Sequence, residues 1–193
     1  MNLENILSFI KEKRNYEYPI LYKLVNNIPL TEDELTIDDS ISLIVSNISS
    51  LPDNLTINGY LDLEGSKILS LPNNLTVIGN LDISNTNITT IPDNINLKSS
   101  LRAINSKLKS LPNNLKINDN LLISNTNIKS LPNNLYVGRS LDITDTQITE
   151  IPNNLHVGKD IFIKNTPLSK NYTESQIYHM IKNKEGYIGG YIY

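Results

Sequence analysis

The chain has 193 residues, no cysteine, 39% hydrophobic residues and a formal net charge of −3, a size that suits one elongated domain. No apolar run approaches the ~20 residues of a membrane-spanning helix, and the absence of cysteine excludes disulfides and thiolate metal sites while fitting a reducing cytoplasm. The charge has the wrong sign for a general nucleic-acid binder and is too small for a nucleic-acid mimic, so neither nucleic acid nor membrane is expected as a partner.

In chain order, residues 2–13 predict an amphipathic helix, with Leu3, Ile6, Leu7 and Ile10 spaced for one face. Acids and bases interrupt this segment and no small-residue cleavage site follows it, so it does not read as a signal peptide and a cytoplasmic location is expected. Asn15 to Glu17 break the pattern, and Pro19 suits the first turn of a second short helix with Leu21, Leu24 and Val25 on one face. Residues 1–30 are therefore expected to cap the array that follows.

Residues 51–170 are six copies of a twenty-residue unit, beginning at Leu51, Leu71, Ile91, Leu111, Leu131 and Ile151. Each opens on Leu/Ile-Pro and repeats the same apolar positions, as in Leu71, Leu75, Val77, Leu81, Ile83 and Ile88. Such a fixed period predicts a solenoid. Within a unit, Leu75-x-Val77 and Leu81-x-Ile83 alternate as half-buried strands do. Glycines (Gly59, Gly79, Gly138, Gly158), Asn85-Thr86 with its equivalents, and Pro72 mark three corners. Residues 31–50 read as a degenerate first repeat, which makes seven over residues 31–170. Two polar columns recur: asparagines at 54, 74, 94, 114, 134 and 154, expected to form an amide ladder, and Ser/Thr at 66, 86, 106, 126, 146 and 166, expected to satisfy turn backbone. Ala103 stands in an inward position held by Ile83 and Ile123 in its neighbours, which predicts a thinner core there.

Residues 171–193 predict a closing helix and a last strand. Thr173 and Gln176 form a capping-box pattern, Ile177, Met180 and Ile181 form an apolar stripe, and Gly186 suits the helix end. The tail from Ile188 to Tyr193 aligns with Val137 to Asp142, with Ile192 inward and Tyr191 and Tyr193 outward.

The pattern Leu81-x-Ile83-x-x-Thr86-x-Ile88 resembles the core of leucine-rich repeats, and the twenty-residue period with its Leu-Pro opening resembles the short bacterial and bacteriophage type. The resemblance implies a right-handed, mainly β coil with a parallel sheet, and a function in protein recognition through the sheet face. The family's ladder asparagine is Ser or Thr here, so curvature stays open between a horseshoe and a straighter coil with two sheets. The ligase domain attached to the effector members has no counterpart, and no cysteine could serve its chemistry.

The outward residues of the Leu-x-Ile strand vary from copy to copy, whereas the inward ones do not. They nominate a partner-binding set: Tyr60, Asp62, Glu64, Asp82, Arg102, Ile104, Leu122, Asp142, Phe162, Lys164, Tyr191 and Tyr193. Asp62, Glu64 and Asp82 should cluster, since adjacent strands lie about 4.8 Å apart. Exposed aromatics beside charges have the composition of interface hot spots. The expected function is a non-catalytic protein-binding module, a phage- or bacterium-encoded modulator of a host protein, with a monomer favoured. A structural component of a virion or tail is the alternative. A polysaccharide-acting enzyme using Asp62, Glu64 and Asp82 is the remote one, with no pocket expected on a flat face. The two histidines, His156 and His179, lack ligand-spaced partners, so no metal, cofactor or nucleophilic catalysis is expected.

Overall fold

The structure, a computed structural model, describes residues 19–193. The helix expected over residues 2–13 lies outside the described residues. In the main sheet every twentieth residue stands beside its counterpart. Ile41, Leu61, Leu81, Leu101, Leu121, Leu141 and Ile161 pair in register along one parallel sheet of seven strands. These short strands run from Ile41–Ser42 to Ile161–Phe162 and form the main sheet. The other run of each unit forms a second file of parallel strands. Alternation does the sorting: in Leu81–Asp82 the first side chain is fully buried and the second is not, because successive side chains of a strand point to opposite faces.

The core is one continuous cluster, from Leu24 to Ile192. Ala103 is fully buried in its place among the isoleucines. Five hydroxyls of the Ser/Thr column (Thr86, Ser106, Thr126, Thr146 and Thr166) donate to the carbonyl three residues earlier at 2.7–2.8 Å. Ser66 departs from the expectation: its buried oxygen, like that of Ser46, has no hydrogen-bond partner among the described residues. Both sit at the N-terminal end, where the copies are least regular.

The second file is not continuous. Its strands form one four-stranded sheet ending at Asn96–Leu97 and another beginning at Lys116–Ile117. Asn96 and Lys98 donate N–H groups to Leu75 and Val77 at 2.9 and 3.0 Å, but Lys116 and Asn118 make no equivalent bonds to Ile95 and Leu97. The amide ladder breaks at the same level. Asn74 reaches Asn54, Asn94 reaches Asn74, Asn134 reaches Asn114 and Asn154 reaches Asn134, at 2.7–3.0 Å. Among the described residues no bond joins Asn94 to Asn114, and Asn94 alone in its column lies outside the left-handed region.

Glycine placement accounts for this seam. A Cβ at Gly79 would lie 2.7 Å from the Gly59 carbonyl oxygen; at Gly138 it would lie 2.1 Å from that of Asn118, and at Gly158 2.1 Å from that of Gly138. At these corners the backbones approach closely enough that only a residue without Cβ fits. The glycine shifts by one position between Gly79 and Gly138, and the two intervening corners, Lys98-Ser99 and Asn118-Asp119, have none. Asn118 cannot approach Lys98 as Gly138 approaches Asn118. Its side-chain amide instead donates to the Lys98 carbonyl at 3.1 Å.

At the N-terminal end, α1 spans Ile20–Val25 after an extended Pro19, which is its cap rather than its first turn. Leu24 is buried, but Leu21 and Val25 are each 44% exposed, so of the three residues expected on one packed face only Leu24 packs. Lys23 is buried and pairs with Glu34, which ties α1 to the first repeat. Burial pushes the Glu34 carboxyl up, but the bonds from Lys23 and from the Thr31 N–H outweigh it and hold the group below the usual carboxylate range. At the other end α2 (Pro167–Asn171) and α3 (Glu174–Asn183) replace a corner. The capping box between Thr173 and Gln176 forms as expected, and Ile177 and Ile181 are fully buried. Glu185, not Gly186, takes the left-handed conformation after α3. Gly186 is needed for space: a Cβ there would lie 2.7 Å from the Leu155 carbonyl oxygen. The tail then closes the array in the expected register, Ile188 beside Val157 and Ile192 beside Ile161.

Candidate interaction surface

The outward residues of the main sheet form one face, and the structure brings the nominated set onto it. The acids gather at its N-terminal half. One carboxylate oxygen from each of Asp62, Glu64 and Asp82 lies within 4.8 Å of the others, and all three residues are half-buried. They are not idle. Asp62 and Asp82 accept the N–H of Glu64 and Ser84 at 3.0 and 2.8 Å, closing local turns. Glu64 accepts from the Asn85 amide at 2.9 Å, and Arg102 donates to Asp82 at 2.8 Å. Arg102 remains exposed, so the face presents an acidic cluster with one cation at its edge. Asp142 repeats the turn bond, to the Thr144 N–H, without acidic neighbours of its own.

Apolar and aromatic groups occupy the rest. Ile104 and Leu122 are half-buried between polar neighbours. Tyr60 stands exposed at the N-terminal end, whereas Phe162, Tyr191 and Tyr193 gather at the C-terminal end, exposed by 37%, 72% and 56%. The Phe162 and Tyr193 rings stack at 5.3 Å, and Tyr191 tilts against Tyr193 at 6.2 Å. Their stacking follows from register: Ile161 beside Ile192 places Phe162 beside Tyr193.

The face is not flat throughout, contrary to the expectation of no pocket. Beside Phe162, Lys164 and Tyr193 the sheet meets the α2–α3 segment, Ser169 to Gln176, and the two enclose an open groove of about 1010 Å³. That is near the top of the ~300–1,000 Å³ typical of ligand clefts. Period alone could not reveal it, because the groove exists only where helices stand in for a corner.

A second aromatic feature lies on the other file. Tyr136, His156 and Tyr187 stack face to face at 4.5 and 4.8 Å. Lys116 stands 5.2 Å from the Tyr136 ring and Lys182 5.2 Å from the Tyr187 ring, one at each end. His156 thus belongs to a ladder of rings whose faces cover one another. The column was readable in the sequence, since Lys116, Tyr136 and His156 recur at the period and Tyr187 precedes the aligned Ile188. No protein-family model matches the chain, and no curated protein matches it.

Proposed function

We propose that the chain is a non-catalytic protein-interaction module of the leucine-rich-repeat type that binds a protein partner through the outward face of the main sheet. One observation carries this reading. The inward positions of that sheet are almost uniform Leu/Ile and buried, while the outward positions on the same strands change from acid to cation to aromatic. A rigid scaffold with a variable, partly aromatic face is the division of labour found in solenoids that present long binding surfaces. The acidic cluster suits a basic element of the partner, and the stacked aromatics suit an apolar one. A phage- or bacterium-encoded modulator of a host protein is the finer form of this reading and rests on the family resemblance.

The test is capture of a partner from host lysate, then measured affinity for wild type and for Asp62→Lys with Asp82→Lys. Affinity should fall by at least about tenfold, equivalent to ~1.4 kcal/mol. Lys107→Glu, at an exposed position beyond the sheet face, should leave affinity unchanged. Equal affinity of the Asp62/Asp82 variant and wild type would remove the sheet face as the site. A light-scattering mass that grows into an ordered polymer would instead favour the structural role.

A further inference from the structure

At the level of the seam the coil is joined on two of its three sides. Along the main sheet, Leu101, Ala103 and Asn105 donate N–H groups to the carbonyls of Asn120, Leu122 and Ser124 at 2.8–3.1 Å. The Asn125 side-chain amide adds a bond to Asn105 Oδ1 at 2.6 Å. Past that corner, on the third side, Asn127 donates its N–H to the Leu108 carbonyl at 2.9 Å. The second file is the exception. Among the described residues, the one hydrogen bond that crosses within it is that of the Asn118 side chain to the Lys98 carbonyl. A cleft of about 210 Å³ is lined from both parted turns, by Ile95, Leu97 and Lys98 and by Leu115, Lys116 and Asn118 among others. Packing registers the gap as well. Leu55, Leu75, Leu115, Leu135 and Leu155 of one inward column are buried, whereas Ile95 in the same column is only partly so.

From this bonding pattern we propose that the seam is a hinge. The turns before it and the turns after it tilt about the joined corner at Asn105 and Asn125, while the second file opens and closes. A tilt about that corner disturbs the fewest bonds, because the main sheet and the third side meet there and the second file lies across the core from it. Few residues absorb the motion and packed turns on either side move as units, which is how hinges are built. A region poor in backbone hydrogen bonds also opens at lower free energy than its surroundings. Lys116 and Asn118 are exposed, so solvent meets that edge and opening strands no buried donor. The tilt bears on recognition, and that bearing rests on the reading of the sheet face as a binding surface. Asp62, Glu64 and Asp82 precede the seam, and Phe162, Tyr191 and Tyr193 follow it. The bend therefore sets the angle between the acidic patch and the aromatic patch. A partner that touches both binds one angle better than the others and so holds it.

The chain has no cysteine, so introduced pairs carry spin labels at chosen positions only. Thr76→Cys with Lys116→Cys spans the seam on the second file. Thr36→Cys with Thr76→Cys spans as many turns of that file before the seam, and Ile104→Cys with Thr144→Cys as many turns of the main sheet across it. Two strand spacings put the control backbones about 10 Å apart. The expected result is a distance distribution at least about twofold broader for the Thr76/Lys116 pair than for either control. Breadth equal to that of Thr36/Thr76 overturns the hinge, since the whole file is then alike. Breadth equal to that of Ile104/Thr144 overturns it too, since the turns are then parted or joined on both sides. Without labels, the Asn105 and Asn127 amides should exchange at least ~100-fold more slowly than that of Lys116; comparable rates also overturn the hinge. With a partner captured as above, the Thr76/Lys116 distribution should narrow to the control width. An unchanged width, with a partner that depends on Asp62 and Asp82, overturns the link between bend and recognition and keeps the sheet-face reading. Narrowing by a partner indifferent to the Asp62/Asp82 variant sinks the sheet-face reading and keeps the hinge.

Discussion

The two strand files of this coil are built from the same repeats, yet one runs unbroken through seven turns and the other parts in the middle. The difference lies in what each file asks of its corners. In the main sheet, the corner after each strand uses the Asn85 column, where Gly, Asn or Asp holds the left-handed backbone in every turn but the first. In the second file, the corners at Gly79, Gly138 and Gly158 bring neighbouring backbones so close that a Cβ would not fit. Two consecutive corners without glycine are enough to separate Asn96–Leu97 from Lys116–Ile117. A solenoid is thus only as continuous as its least tolerant column.

The largest expected effect breaks one of the two tightest corners. Gly138→Ala places a methyl against the Asn118 carbonyl oxygen and should cost about 3 kcal/mol in urea denaturation. Arg139→Ala beside it removes an exposed side chain paired with Asp119 at 3.4 Å, and should stay within ~0.5 kcal/mol. A small loss for Gly138→Ala would show that glycine does not set the seam.

Next comes the amide ladder. Asn134 has the left-handed backbone and bonds to both neighbours in its column, while Asn94, at the seam, bonds to one. Asn134→Ala should cost about 2 kcal/mol and Asn94→Ala about 0.5 kcal/mol. Equal costs, measured by thermal or urea unfolding, would mean that the ladder does not feel the break.

The main sheet has its own weak point. Val45 is β-branched at φ 51° in the column that elsewhere carries Gly, Asn or Asp. Val45→Asn should raise stability by about 1 kcal/mol, because it removes left-handed strain from an exposed residue. No gain would place the strain elsewhere in the first turn.

The seam itself is the smallest and most local test. The Lys116 and Asn118 amides should exchange with solvent at least ~100-fold faster than those of Leu101 and Leu121, which donate across the main sheet at 3.0 Å. Comparable protection would show that the two halves of the second file are joined in solution.

Much of this was legible before any coordinates. The pairing of Leu61, Leu81 and Leu101, the column of donating threonines, the capping box at Thr173 and the inward Ile192 all followed from period and alternation, because stacked turns repeat one environment. The co-location of Asp62, Glu64 and Asp82 followed from the strand spacing alone. The bonding of those acids did not, since Arg102 and Asn85 come from neighbouring turns and side-chain reach is not encoded in register. The partial exposure of α1 was equally hidden, because a three-residue stripe does not say how much surface lies opposite it.

The sequence by itself determined the coil, its period and its faces, since a repeat that cannot bury its own core must bury it against an identical neighbour. Only the tertiary structure decided where that repetition fails: at Asn118, where a Cβ keeps two turns apart, and at Asn165, where helices stand in for a corner and a groove opens. Both places depend on which groups of adjacent turns come within bonding distance, and that distance is set by packing rather than by pattern.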